Sequence, residues 1–156
     1  MIKKRLKKLK ELINKNNLDG YIISKNDEFF SEYAVKDRLK IISNFGGSAG
    51  LAIILKKKNY LFVDGRYTIQ AEQQSGKYFK IIEIHKFLPY KIIKNLILGF
   101  DPSLFTRKQL DICFGNSLTL KPIVNNLIDE IYSKKISKTK PFYSLQDKIV
   151  GKSYKS

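Results

Sequence analysis

A chain of 156 residues with 43% hydrophobic and 12% aromatic content is long enough to bury one core and too apolar to stay disordered. Its formal charge of +16 raises a nucleic-acid partner, yet 26 of the 30 basic residues are lysines. Arginine, which base-edge readers favour, occurs only at Arg5, Arg38, Arg66 and Arg107, so the charge reads mainly as solvated lysine faces and nucleic acid is not the expected partner.

The N-terminus opens on Ile2, Leu6, Leu9 and Ile13 at helical spacing, an amphipathic helix ending near Asn16 and Asn17. That periodic helix replaces the apolar block of a secretory signal, and no apolar run reaches the roughly 18 residues of a membrane span. Gly20 to Ser24 is a short apolar strand, turned by Asn26-Asp27. Residues 28–44 are ambiguous, with a helical turn expected around Ser31-Glu32-Tyr33 and a helix or irregular segment through Ile41-Ile42. Leu51–Leu55 and Tyr60–Val63 read as strands joined by a lysine turn, an antiparallel hairpin. A helix over 66–75 follows, closed by Gly76. Then come a strand over 79–84, a helix over 90–96 with Pro89 in its first turn, and a strand over 97–101 stopped by Pro102. Thr106 caps a helix over 107–114, Leu118-Thr119-Leu120 is a last strand, and Asn125/Asn126 open a helix over 127–132. Strands alternating with helices around one hairpin predict an α/β fold, a three-layer α/β/α sandwich with a mixed sheet of five or six strands. From Ser133 to Pro141 the chain is polar and charged, as in an inter-domain linker.

Four constellations could carry chemistry. The glycine cluster Gly46-Gly47-Ser48-Ala49-Gly50 lacks the following helix that a phosphate loop needs and instead feeds a strand, so close backbone approach is its expected role. His85 is the sole histidine and Cys113 the sole thiol, in different elements. No imidazole or thiolate metal site assembles from them, and a lone thiol excludes an internal disulfide and fits a reducing cytoplasm. Asp64, Glu83 and Asp101 fall at or near strand ends, as the acids of a two-metal nuclease would; a stand-alone basic module that binds or cleaves nucleic acid is the alternative reading. Lastly, Val63-Asp64-Gly65-Arg66-Tyr67, with Gln70, Ala71 and Gln74 behind it, ends a strand in an acid and restarts on an arginine. Arg66 at such a turn is a fixed guanidinium fork suited to a carboxylate or peptide carbonyl, unless it merely pairs with Asp64 and caps the helix.

The order and spacing of Asp27-Glu28, Ser31-Glu32-Tyr33, Arg38, Ile42-Ser43-Asn44-Phe45-Gly46-Gly47-Ser48-Ala49-Gly50, Asp64-Gly65-Arg66-Tyr67 and Gln70-Ala71 resemble the N-terminal domain of the three-domain Xaa-Pro aminopeptidases. That domain belongs to the creatinase/prolidase N-terminal family. The match is strongest from Leu18 to Gln74; Gly99-Phe100-Asp101-Pro102, residues 126–132 and Gly151-Lys152-Ser153-Tyr154-Lys155 echo it further on. Two departures stand out: Asn44 where the family usually has glycine, and Phe29 where a histidine is common.

The resemblance implies a creatinase N-terminal-like, ribonuclease H-like fold over residues 1–132, with 133–156 as linker and the opening of a second domain. It implies a parent that hydrolyses the bond between an N-terminal residue and proline, using two divalent ions, usually manganese, in a C-terminal catalytic domain. On that basis this chain has no catalytic residue and no metal or other cofactor of its own. Its expected partners are a proline-containing peptide and its own downstream domains, with no membrane and with room for a homodimer. Arg66 alone carries over as substrate-binding, and the implied location is cytoplasmic.

Overall fold

The structure, a computed structural model, describes residues 1–31, 34–132, 143 and 145–151. Helix α1 (Ile2–Lys15) buries Leu6, Leu9 and Ile13 and turns its lysines outward. Strand β1 (Gly20–Ser24) follows, then the short helix α2 (Arg38–Ser43), whose N-cap Asp37 accepts from the Lys40 backbone N–H. Strands β2 (Gly50–Leu55) and β3 (Asn59–Val63) form the expected hairpin, closed by the Leu55 N–H on the Lys58 carbonyl at 2.8 Å. A single 3₁₀ turn (Gly65–Tyr67) leads into α3 (Thr68–Ser75), and β4 (Lys80–Glu83), α4 (Pro89–Ile92) and β5 (Ile97–Phe100) succeed it. The chain continues through α5 (Arg107–Phe114), β6 (Thr119–Pro122), α6 (Leu127–Ile131) and the four-residue α7 (Asp147–Val150).

The six strands form one sheet in the order β4-β3-β2-β1-β5-β6. Antiparallel pairing on both sides of β2 and parallel pairing elsewhere leave β2 alone running against the other five. Strands β1 to β3 are buried on both faces, and alternation divides their side chains between two cores. Tyr21, Ile23, Ala52, Ile54, Leu61 and Val63 pack under α1, α2, α3 and α6. Ile22, Leu51, Ile53, Tyr60 and Phe62 pack on the other side, against Phe114 of α5 and Ile92 and Ile93 at the end of α4. Two cores separated by a sheet make the predicted three layers.

Local chemistry explains where the expected boundaries move. The helix expected over 90–96 stops at Ile92, because Ile93 adopts an extended φ of −118° and is buried, and Asn95 turns left-handed at φ 54° with its N–H on the Ser117 carbonyl. Gly76 closes α3 with a right-handed φ of −55°, not a left-handed cap. Thr106 and Gln109 form a reciprocal capping box on α5, and Asn126 caps α6 by accepting from the Ile128 N–H. Glu32 and Tyr33 of the helical turn expected around Ser31-Glu32-Tyr33, and the linker over 133–141, lie outside the described residues.

The loop between α2 and β2 is shaped by two positions. Asn44 ends α2 in the left-handed region at φ 70°, where glycine is the default and asparagine the usual substitute. Beyond it, Phe45 is fully buried, and a Cβ on Gly47 would sit 2.2 Å from the Phe45 Cζ. The glycine is therefore required by contact, not by dihedral. Asn44→Gly is expected to leave thermal stability unchanged or raised, whereas Asn44→Ala should cost about 1–2 kcal/mol for forcing a Cβ into the left-handed well. Gly47→Ala should cost about 1–3 kcal/mol by displacing the Phe45 ring. Denaturant melts of the three variants check this, and equal stability for all three would refute both assignments.

Candidate peptide-contact site at the sheet rim

Because five strands point the same way, their C-terminal ends share one rim, the edge where open α/β sheets bind ligands. The turn over residues 64–67 stands on that rim and straddles the sheet. Asp64 continues the Tyr60–Phe62 parity toward the α5 face, and Tyr67 packs into the core beneath α1 and α2.

Asp64 organises the turn. Its Oδ1 accepts from the Arg66 backbone N–H and from the Arg66 Nε, each at 2.9 Å. Its Oδ2 lies 3.2 Å from the His85 Nε2. The Arg66 guanidinium, then the Arg66 backbone N–H and lastly His85 hold the Asp64 carboxyl down at about 2. The same pair pushes the Arg66 guanidinium further up. His85 arrives there because β3 and β4 are parallel in the register Val63↔Glu83, which sets the two strand exits side by side. The Glu83 carboxylate lies over Gly65, where a Cβ would meet its Oε1 at 3.1 Å.

Asp64 occupies only one guanidinium nitrogen of Arg66. The side chain is 77% exposed, its Nη1 and Nη2 have no partner among the described residues, and its Cζ lies 5.6 Å from the Tyr67 ring centroid. The turn is thus a cap and a presented fork at once. The two readings offered by the sequence are compatible, since capping uses the backbone N–H and Nε while the fork ends remain outward.

The turn is clamped from the other face. Phe45 meets Tyr67 edge-on with centroids 6.1 Å apart, and the Ser48 and Tyr67 hydroxyls lie 2.8 Å apart. The Gly46 N–H donates to the Gln74 Oε1 at 2.9 Å, and the buried Ser75 hydroxyl donates to the Ser43 carbonyl at 2.9 Å. Ala71 is buried beneath them. The glycine cluster singled out in the sequence is therefore the seat of the arginine turn. It precedes a strand, as expected, and not a helix.

The acids of the nuclease reading do not converge. Asp64 and Glu83 end adjacent strands, but Asp101 lies beyond β5, three strand spacings or about 14 Å from β3. Asp101 is consumed internally, accepting from the Ser103 N–H and hydroxyl at 3.0 and 2.6 Å and from Asn126 Nδ2 at 2.9 Å. The open depression of about 630 Å³ beside it is lined by Glu28, Arg38 and Asp129. There Arg38 grips Asp129 through Nε and Nη2 at 3.0 and 2.9 Å. Among the described residues no three histidine, cysteine, aspartate or glutamate side chains group as metal ligands, and no helix is long and apolar enough to cross a membrane. Sequence reasoning missed the Asp64/His85 contact and the Phe45-Ser48 clamp; the only signal for the first was that His85 follows a strand able to lie beside β3.

Comparison with known proteins adds the rest. "Probable Xaa-Pro aminopeptidase P" of Coprinopsis cinerea is 31% identical over 97% of this chain and 27% of its own length. "Xaa-Pro aminopeptidase 2" of Rattus norvegicus is 32% identical over 96% of this chain and 24% of its own. The chain thus spans about a quarter of the length of the curated relatives it matches. Among solved structures, X-prolyl aminopeptidase from Caenorhabditis elegans, described as a cytosolic enzyme with a di-nuclear active site, superposes with a TM-score of 0.72 at 24% identity, covering 98% of this chain and 29% of that one. Xaa-Pro aminopeptidase from Streptococcus thermophilus gives 0.60 at 22% identity, covering 83% of this chain and 97% of that one. Both likenesses are of fold. The profile of the creatinase/prolidase N-terminal domain matches residues 5–119, and the chain belongs to that family.

Proposed function

We propose that this chain is the N-terminal, non-catalytic domain of a Xaa-Pro aminopeptidase and that it presents Arg66 to the peptide substrate. The observation that carries the reading is the partly used guanidinium: Nε is fixed by Asp64, while Nη1 and Nη2 have no partner among the described residues on a side chain 77% exposed at the sheet rim. A fork fixed at its root and free at its ends can orient a peptide carbonyl or carboxylate without taking part in bond cleavage. In this reading residues 1–132 are the domain, and 133–156 connect it to further domains of the same enzyme. The peptide bond broken is the one between an N-terminal residue and proline, and the setting is cytoplasmic.

The metal pair that the relatives' chemistry calls for does not fit this chain. Among the described residues no three histidine, cysteine, aspartate or glutamate side chains group as metal ligands, and the rim acids Asp64 and Asp101 are engaged by Arg66, Ser103 and Asn126. A pair of divalent ions, manganese, would belong to the catalytic domain of the full-length enzyme. The peptide substrate and the downstream domains are the proposed partners. Among the described residues no group of acids converges as a nuclease site would require.

In the full-length enzyme Arg66→Ala should lower kcat/KM about ten- to a hundredfold, from a lost charged hydrogen bond worth roughly 1.5–3 kcal/mol. Metal content and melting temperature should be retained. Arg66→Lys should restore part of the loss, because an ammonium cannot form two parallel bonds. Full activity in the alanine variant sinks the role of Arg66.

Asp64 gives an independent check on the pairing. Its folded pKa of about 2 lies below the unfolded value of about 3.9, so its stabilisation is complete above the latter and is lost as pH falls through the former. Carboxyl-carbon NMR should find Asp64 titrating near 2 in the native chain. Arg66→Ala should raise that midpoint part of the way toward the unfolded value, since the backbone N–H at residue 66 still donates to it. An unchanged midpoint would show that the guanidinium is not the group holding Asp64.

A further inference from the structure

Beside Arg66 the rim opens into a pocket of about 300 Å³ on the α5 face, at the low end of the range for small-ligand sites. Its floor is the end of the sheet: Leu51, Phe62, Val63 and Ile84. Its far wall is Phe105 with Gln109 and Cys113 of α5. Asp64 and His85 stand at its lip, and Asp64 is the residue that anchors the Arg66 Nε at 2.9 Å. The guanidinium fork and the apolar hollow are therefore held by one carboxylate.

Most polar groups around the pocket are already engaged. Asn26 Nδ2 donates to the Leu104 and Asp27 carbonyls, each at 3.0 Å, and its Oδ1 accepts from the Ser24 hydroxyl. The Gln109 Oε1 accepts from the Thr106 N–H at 2.8 Å. What remains to be recognised is shape and apolar surface. The size suits a single large side chain, and the adjacent fork suits a backbone carbonyl or carboxylate one residue's reach away.

We infer that this pocket is a specificity subsite that takes the leucine- or phenylalanine-sized side chain of the peptide residue whose backbone oxygen is gripped by Arg66. The inference rests on the peptidase reading above and adds a side-chain preference to it. The occupant is a substrate side chain because the hollow is continuous with the fork: the Asp64 carboxylate that holds the Arg66 Nε at 2.9 Å also lines the pocket.

The test uses the full-length enzyme with alanyl-prolyl-alanyl-alanine and its three variants carrying leucine at the first, third or fourth residue. One leucine position should raise kcat/KM about ten- to a hundredfold over alanine, as expected for burying one large side chain. Cys113→Phe, which fills the hollow from α5, should bring that ratio close to one. Alkylation of Cys113 by iodoacetamide, followed by mass spectrometry, gives a readout that needs no variant. Burial pushes the Cys113 thiol up, so the reaction is slow, and the favoured leucine peptide should slow it further while the all-alanine peptide should not. If Cys113→Phe fails to fold, this protection in the native enzyme decides. Turnover with no leucine preference, a preference that survives Cys113→Phe, or equal alkylation with both peptides overturns the subsite. So does complete protection without peptide, which would mean that a neighbouring domain fills the pocket. Failure to cleave any of the four peptides would instead refute the peptidase reading itself.

Discussion

The edge-on contact between Phe45 and Tyr67 is the constraint on which the rim depends. Phe45 is fully buried and held in place by Gly47, which leaves no room for the ring to retreat. Tyr67 is the last residue of the 3₁₀ turn, so the ring fixes the turn at its C-terminal end as Asp64 fixes it at its N-terminal end. Between two fixed ends the backbone at Arg66 has little freedom, so the root of the guanidinium is held by the fold. The precision of a binding group comes from such support and not from the group itself.

The topology makes that support inexpensive. With β2 alone reversed, the loop that enters β2 and the turn that leaves β3 meet at the same edge. Residues 45–48 and 67–74 are distant in sequence yet adjacent in space, so Ser48 and Gln74 reach their partners without any long insertion. The parallel pairing of β4 on β3 then brings His85 to the other oxygen of Asp64. One hairpin and one crossover suffice to surround a single aspartate with an arginine, a histidine and an apolar hollow.

Charge acts on a different scale. At +16 the chain carries a positive field that falls off over roughly 8 Å at physiological ionic strength. An outward guanidinium in that field favours an electron-rich ligand atom, and its nearest acid is committed through Nε. The lysines of α1 lie on the exposed face of a helix whose other face is core, so they contribute to the field without forming a site.

What the sequence made legible is what short-range chemistry decides. The hairpin followed from two apolar runs around three lysines, and the caps at Thr106 and Asn126 from residues that accept from backbone N–H groups two or three positions on. The end of α4 was not legible, because Ile93 leaves the helix to fill the second core, a demand set by distant residues. Nor was the Asp64/His85 contact, which exists only once β3 and β4 are paired. The two departures from the family pattern become intelligible in the same terms. Asn44 occupies a left-handed cap where its side chain is secondary to its backbone, and Phe29 is 82% exposed with only its N–H engaged, on the Asp27 Oδ1. Neither position uses its side chain to hold the rim. Ser48, Tyr67 and Gln74 do, through side-chain hydrogen bonds and a ring contact.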